Sequence, residues 1–302
     1  MHLINIFTTN LLPVILLAGM GFLFSKYLPV DSRTLGRLVF YILSPILVFD
    51  LLTRSNLAPG SVIKMMAFAT CIILFAGILA FLAGRLLHLQ WPALMAVVLT
   101  SMIGNNGNYG FPVIAFAFGE EALAYATIYF VTSVILLNTV GVFIASLGHL
   151  QPRKALLGLL KVPALYAILL GMLMMQFDIT FPDPLQKTID IASGAAIPCM
   201  LFLLGMELHR ADLKKSLGAI SIPVLLRLVI MPAISIFLAG FFQFQPNAGN
   251  AGITEAGMPT AVMTTVVASE YGLDPALVTA IIFTTTILSP ITLTVLLFYL
   301  GV

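Results

Sequence analysis

Long apolar segments alternate with short polar turns along the whole chain. A helix that rises 1.5 Å per residue needs about 20 apolar residues to cross a hydrocarbon layer of about 30 Å. The pattern therefore predicts an all-α membrane protein with ten transmembrane helices. The predicted spans are residues 5–25, 35–53, 62–87, 92–118, 121–147, 156–177, 187–206, 216–242, 248–269 and 275–300.

The two halves of the chain echo each other in order and at a nearly constant offset. The motif around Pro45 (LSPILVF) matches the one around Pro198 (AIPCMLF), and GFP ending at Pro112 recurs as GMP ending at Pro259. Because each half holds an odd number of spans, the second half must enter the membrane from the opposite side. We therefore expect two inverted five-helix repeats, as in many secondary transporters. The predicted repeats are residues 1–150 and 151–302.

Charge adds an orientation to this picture, because Lys and Arg prefer cytoplasmic loops. Only 9% of the residues are charged and the net charge is +2, so no basic run suits nucleic acid and no polar stretch suits a soluble domain. Ten basic residues lie in the loops after spans one, three, five and seven, against three in the opposite loops. We therefore expect a plasma (inner) membrane protein with both termini on the non-cytoplasmic side. The ten are Lys26, Arg33, Arg37, Arg85, Arg153, Lys154, Lys161, Arg210, Lys214 and Lys215.

A polar stretch, GNNGNYGFP from Gly104 to Pro112, interrupts span four. In hydrocarbon every backbone N–H and C=O needs a partner, so a broken helix is tolerated only where protein or a water-filled cavity supplies one. Span nine carries EAGMPTA, from Glu255 to Ala261, with Pro259 at the matching place. We expect spans four and nine to be broken helices that cross near the bilayer midplane, because paired interruptions mark substrate sites in transporters.

These interruptions carry the candidate substrate-binding residues. Free N–H groups at helix N-termini and neutral asparagine amides can hold a carboxylate without burying a counter-charge. The alternative is that the glycines only allow close packing and the prolines only kink the helices. Because the interruptions are paired and rich in asparagine, we favour a site for a small organic anion. Its predicted residues are Asn105, Asn106, Asn108, Gly110, Pro112, Met258, Pro259 and Thr260.

Glu255 is an ionisable residue deep in span nine. An unpaired carboxylate there is costly, so we expect it to be protonated, ion-bound or paired. Arg227, at similar depth in span eight, is the candidate charge partner in a structural ion pair. The functional alternative makes Glu255 the site of a coupling proton or sodium ion, and no other metal or cofactor is expected. Neutral oxygens for that site, unless they only bond to a neighbouring helix, would come from Thr132, Ser133 and Asn138.

At these same residues the chain resembles the auxin efflux carrier family, which includes the plant PIN exporters and bacterial permeases for malate or malonate. The shared motifs include MPTAV from Met258, ASEYGLDPAL from Ala268, and an asparagine, Asn105, seven residues before Pro112. The chain is similar to the short bacterial type, because only residues 148–154 stand where the plant exporters have a long loop.

The resemblance implies transport of malate-like, malonate-like or auxin-like carboxylates by elevator-type alternating access, and a homodimer. It implies a scaffold of two helices per half, a crossover at Pro112 and Pro259, and contact between Asn105 and the substrate carboxylate. The related bile acid sodium symporters have a similar EAGM segment whose glutamate binds sodium, which would make Glu255 a sodium ligand. Pro259 stands where those symporters have glutamine, which argues against a complete two-sodium site.

Two other classes of function are alternatives to a carrier. The first is an anion channel or an uncoupled facilitator, which would bind the anion at the same crossover. An intramembrane enzyme is not expected, since the sequence has no Ser–Lys dyad, paired midplane aspartates or histidine-rich metal cluster.

Overall fold

The computed structural model describes residues 2–55, 57–146, 160–177, 181–208 and 217–302, and the predicted all-α class is confirmed for them. Seven of their helices are long and apolar enough to cross a membrane. The helices are α1 His2–Tyr27, α2 Ser32–Arg54, α3 Pro59–Leu86, α4 Trp91–Met102, α5 Asn106–Ala145, α6 Pro163–Gln176, α7 Asp183–Leu208, α8 Gly218–Phe242, α9 Pro246–Ala256, α10 Met263–Glu270 and α11 Pro275–Tyr299.

Several predictions from the sequence fall partly outside these residues. The end of predicted span five at residue 147, the beginning of span six at residue 156 and the beginning of span eight at residue 216 lie outside the described residues. So do five of the ten basic residues that predict the orientation, namely Arg153, Lys154, Arg210, Lys214 and Lys215.

Wide π-helical turns precede several prolines inside these helices. A proline lacks the backbone N–H, and its ring clashes with the carbonyl four residues earlier. A π turn moves that carbonyl aside, so the helix continues through the proline. Two of these turns, Asn106–Gly110 in α5 and Leu226–Ile230 in α8, carry residues of the candidate site. The prolines that stand second after a π turn are Pro13, Pro45, Pro112 and Pro232.

The helical path is interrupted in both predicted regions. In the first region, helix α4 ends at Met102 and helix α5 begins at Asn106. In the second, helix α9 ends at Ala256 and helix α10 begins at Met263. The first interruption is shorter than the polar stretch of the sequence, because most of that stretch already forms a π turn. Pro112 therefore lies beyond the interruption, inside the continuing helix α5, and not at a crossover as the resemblance implied.

Helix α5 changes direction at Gly119, where φ is +80° and ψ is −168°. This region of backbone conformation is strained for residues with a Cβ, so a glycine is needed there. The turn falls between the predicted spans 92–118 and 121–147. The sequence predicts two spans here, and in the structure helix α5 joins them through one sharp bend at Gly119.

The helices separate into two groups. In the first bundle, α1 packs against α7, and α2 packs against α6 and α7. The second bundle contains α3, α4, α5, α8, α9, α10 and α11. The two bundles meet where α7 contacts the π turn Asn106–Gly110, where α2 contacts α5, and where the start of α1 contacts α11 and α5. The polar turn that follows the first interruption therefore lies at the interface between the bundles.

Helices α1 and α7 pack so closely that their backbones touch. A Cβ on Gly21 would collide with the backbone of Phe202, and one on Gly205 with the carbonyl of Ala18. We therefore expect Gly21→Ala to destabilise the protein by about 1–3 kcal/mol, the usual cost of overpacking, and to lower its melting temperature in detergent. Gly19→Ala is the matched control, because nothing lies within 4 Å of its Cβ position. Equal melting temperatures for the two variants would contradict this contact.

Candidate functional site

The two interruptions lie against each other and pair through their backbones as an isolated antiparallel bridge. The N–H of Asn105 donates to the carbonyl of Pro259 at 2.7 Å, and the N–H of Ala261 donates to that of Ile103 at 3.0 Å. Each extended segment thereby supplies the partners that the other would lack in hydrocarbon. We call the two paired segments, residues 103–105 and 259–261, the crossover.

Three backbone N–H groups of the crossover already have acceptors. Asn105 and Ala261 donate across the bridge, and the N–H of Thr260 donates to Oγ1 of Thr285 on α11 at 3.2 Å. The sequence suggested free amides because the first N–H groups of a helix have no acceptor within that helix. At Asn105, Thr260 and Ala261 the partner segment and a threonine hydroxyl provide acceptors. An anion at the crossover could not use these three N–H groups, so a side-chain donor would be of value there.

Asn105 is fixed by its backbone but leaves its side-chain amide unpaired. Its carbonyl accepts hydrogen bonds from the N–H groups of Tyr109 at 3.2 Å and Gly110 at 3.0 Å. The residue is only 5% exposed, and Nδ2 has no hydrogen-bond partner within the part of the chain that the structure describes. Leaving a buried donor unpaired costs about 1–3 kcal/mol. A bound acceptor, such as a carboxylate oxygen, would remove that cost.

Asn106 and Glu255 join the two interrupted helices through their side chains. Nδ2 of Asn106 donates to Oε2 of Glu255 at 2.5 Å and to the backbone carbonyl of Glu255 at 3.0 Å. Gly110 lies beside the same carboxylate, since a Cβ there would be 2.6 Å from Oε2. Glu255 is fully buried, and its Oε1 has no hydrogen-bond partner among the described residues. The structure thus brings together three of the predicted residues.

Arg227 contacts the end of α9 and not the carboxylate of Glu255. Its Nε and Nη2 donate to the carbonyl of Met258 at 2.9 and 2.6 Å, and Nη2 also approaches the carbonyl of Glu255 at 3.4 Å. Within the described ranges, the pairs of opposite charge closer than 4.0 Å are Arg54 with Asp50 and Arg54 with Asp190. Arg227 and Glu255 therefore interact electrostatically without a direct ion pair.

The remaining residues predicted for the anion site lie at or near the crossover. Oγ1 of Thr260 donates to the carbonyl of Thr100, at the end of α4, at 2.9 Å. Met258 and Pro259 are buried and use their carbonyls for Arg227 and Asn105, as described above. The other two, Asn108 in the π turn and Pro112 beyond it, are half-buried and buried, respectively.

The side chains predicted to supply neutral oxygens from span five form hydrogen bonds mainly within their own helix. Oγ1 of Thr132 donates to the carbonyl of Ile128 at 2.8 Å, and Nδ2 of Asn138 donates to that of Val134 at 2.9 Å. Ser133 is buried beside Thr132. Among the residues that the structure describes, no hydrogen bond links these three to Glu255. Their part in a cation site stays a prediction.

Sequence reasoning did not single out the contribution of helix α11. Besides the bond between Thr285 and Thr260, the hydroxyl of Ser289 donates to that of Tyr109 at 3.1 Å. A signal was available, because the run TTTILS from Thr284 to Ser289 is unusually polar for a membrane span. Polar residues within such a span are costly unless they find partners, so this run could have been placed against the interrupted helices.

Tyr129 on α5 is a second residue that the sequence did not reveal. It is 1% exposed, and its hydroxyl has no hydrogen-bond partner in the described part of the chain. It is close enough to interact electrostatically with both Arg227 and Glu255. No local pattern distinguishes it, because one tyrosine in an apolar span is equally typical of packing.

Unpaired buried atoms of both kinds, donors and acceptors, belong to residues of this region. Buried polar groups are normally paired, and each exception calls for a physical reason. Water, an ion or a polar substrate would provide partners for them. Within the described residues, these atoms include Nδ2 of Asn105, Oδ1 of Asn106, the hydroxyl of Tyr129, Nη1 of Arg227, Oγ1 of Thr254 and Oε1 of Glu255.

Residues 6–149 and 149–297 match the family model described as "Membrane transport protein". An uncharacterized transporter of Methanocaldococcus jannaschii is 28% identical over 270 residues, which cover 85% of this chain and 87% of that protein. One of Methanothermobacter thermautotrophicus is 29% identical over 270 residues, with 87% and 88% covered. A protein of Rhizobium meliloti named "Putative malonate transporter" is 27% identical over 284 residues, with 88% and 87% covered.

Proposed function

Because this chain belongs to the membrane transport protein family, which includes the auxin efflux carriers, we propose that it is a secondary carrier for a small organic anion. The family and the relatives are membrane transporters and not enzymes. The name of the Rhizobium meliloti relative supports a carboxylate of the malonate type. Malate-like and auxin-like acids belong to the same chemical class and are the other candidates.

The observation that carries this proposal is the buried, unpaired amide of Asn105 at the crossover. Hydrogen bonds to a charged acceptor are about twice as strong as neutral ones. A carboxylate oxygen at Nδ2 would satisfy a donor that otherwise lacks a partner. Because asparagine is neutral, the empty carrier would not have to bury an additional charge when it moves.

The proposed topology has ten spans in two inverted repeats, residues 1–150 and 151–302. Helix α4 and the part of α5 before Gly119 would form span four, and α9 with α10 would form span nine. The interruption in each of these spans supports the repeat, and so does the match of sequence motifs between the halves. Both termini would lie on the non-cytoplasmic side of the plasma (inner) membrane, and the crossover near the bilayer midplane.

For the transport cycle we propose an elevator-type movement of the second bundle against the first. The separation of the helices into two groups supports this division, because the crossover belongs entirely to the second bundle. Close packing at small residues suits a rigid scaffold, and α1 and α7 of the first bundle pack in this way. The homodimer that the resemblance implies is part of the same proposal.

Counterflow into proteoliposomes tests this function. With unlabelled malonate inside, we expect saturable uptake of radiolabelled malonate that is faster than into empty proteoliposomes, because a loaded carrier returns its site by exchange. A channel would give no acceleration by internal substrate. No flux of malonate or of other mono- and dicarboxylates above protein-free liposomes would contradict the proposal.

A further inference from the structure

A buried arginine holds the end of the interrupted helix α9. Arg227 is only 1% exposed and is the largest of the fully buried side chains in the described residues. A charged side chain within a membrane span is costly and is retained mainly where it has a function. Its guanidinium donates to a backbone carbonyl of the interruption, that of Met258, so its role belongs to this interruption.

The guanidinium lies where a coupling cation would be expected. The C-terminal end of a helix carries partial negative charge. In secondary transporters the unwound carbonyls at such half-helix ends coordinate the coupling ion. Here the carbonyl of Met258 accepts from Nε at 2.9 Å and from Nη2 at 2.6 Å. A sodium ion at this helix end would need the same oxygen and would lie beside a fixed positive charge.

On the other side of the same helix end, the amide of Asn106 makes sodium binding unfavourable. Its amide nitrogen donates both to the carboxylate and to the backbone carbonyl of Glu255, at 2.5 and 3.0 Å. The reversed amide would direct Oδ1 at two oxygens, so the hydrogen-bond network fixes this orientation. Oε2 of Glu255 therefore receives an N–H donor. The other oxygen, Oε1, has no hydrogen-bond partner among the described residues, but a sodium ion there would be repelled by the positive charge of Arg227, which interacts electrostatically with the same carboxylate. The residues present therefore do not fit the sodium ligand role that the bile acid symporters suggested for Glu255.

We propose that Arg227 is a resident cation that takes the place of a coupling sodium ion at the end of α9. Its positive charge is permanent, since a guanidinium is not deprotonated in proteins. The carrier would therefore keep this helix end neutralised throughout the cycle and would need no sodium gradient. The transport part of this inference rests on the proposed function, whereas the cation-binding part does not.

The melting temperature of the purified protein tests the cation-binding part without any substrate. For the wild type we expect the same value in sodium chloride and in choline chloride of equal ionic strength. For Arg227→Ala we expect a lower value in choline, and a partial recovery when sodium or millimolar guanidinium is added, because either cation can approach the exposed carbonyls. Arg227→Lys is the control, and it should show no response to added cations because its ammonium is retained.

Uptake of radiolabelled malonate tests the transport part. Wild-type uptake should be unchanged in sodium-free buffer, and Arg227→Ala uptake should fall at least about tenfold, as expected when a buried charge interaction is broken, and recover severalfold with guanidinium. If Arg227→Ala fails to fold, the wild-type comparison in sodium and choline still decides. Sodium dependence of wild-type stability or uptake would overturn the inference.

Two other outcomes would also overturn it. One is an Arg227→Ala protein whose stability responds to no cation. The other is loss of malonate binding that guanidinium does not restore, which would make Arg227 a substrate ligand. If the wild type moves no carboxylate at all, the proposed function fails, and the melting temperatures still decide the role of Arg227.

Discussion

Asn105→Ala is expected to reduce malonate uptake into proteoliposomes about 10-fold to 100-fold while leaving the melting temperature close to that of the wild type. A hydrogen bond to a charged group contributes about 1.5–3 kcal/mol, and each 1.4 kcal/mol is about a factor of ten in affinity. The substitution removes Nδ2, which has no hydrogen-bond partner among the described residues, so little folding energy is lost. The backbone bond to Pro259 does not depend on the side chain.

The matched control is Asn10→Ala in the first bundle. Asn10 is also buried, at 4% exposed, but its Nδ2 already donates to the carbonyl of Ile6 at 3.1 Å. We expect this variant to keep wild-type uptake and to lose some stability, which is the reverse of the result for Asn105→Ala. Wild-type uptake by Asn105→Ala would remove this residue from the site.

Gly104→Ala is expected to destabilise the protein by about 3–5 kcal/mol, the cost of breaking a buried charge interaction, and to abolish uptake. A Cβ at Gly104 would overlap Nη2 of Arg227 and lie 2.9 Å from its Cζ. The guanidinium would have to leave the carbonyl of Met258, and the new position would have to bury its charge without those bonds. Thermal unfolding in detergent and malonate uptake measure the two effects.

Gly249→Ala is the control for this substitution. Gly249 is a buried glycine of α9, and the nearest atom to its Cβ position is Cβ of Phe244 at 3.6 Å, an ordinary contact. Alanine is a better helix former than glycine by about 1 kcal/mol, so this variant should be as stable as the wild type or more so. If Gly104→Ala and Gly249→Ala have the same melting temperature, the guanidinium of Arg227 does not lie against the crossover.

The regions of the helices and of their interruptions could be predicted because both depend on local chemistry. A membrane span needs a certain length of apolar chain, and Asn, Gly and Pro within it weaken a helix whatever surrounds it. The same logic explains why the limits of the first interruption were missed. A π turn can absorb Asn106–Gly110 and the proline that follows it, and no residue type by itself announces a π turn.

The partners within the site could not be predicted because they are set by tertiary contact and by backbone atoms. The sequence offers Glu255 as the natural partner of Arg227, since only side-chain charges are visible in it. In the structure the end of α9 presents the carbonyl of Met258, and Asn106 takes the carboxylate. Tyr129, on another helix, interacts electrostatically with the same charges, and its position depends on how the second bundle packs.

Solid-state NMR on the protein bound to malonate tests directly whether the carboxylate lies at Asn105. With ¹⁵N only in the asparagine side-chain amides and ¹³C in the malonate carboxyl groups, we expect a dipolar coupling that corresponds to about 3–4 Å, as a direct hydrogen bond requires. The coupling should disappear in Asn105→Ala at a malonate concentration that still gives binding. Bound malonate that shows no coupling to any asparagine amide, or a coupling that persists in Asn105→Ala, would contradict a carboxylate site at this residue.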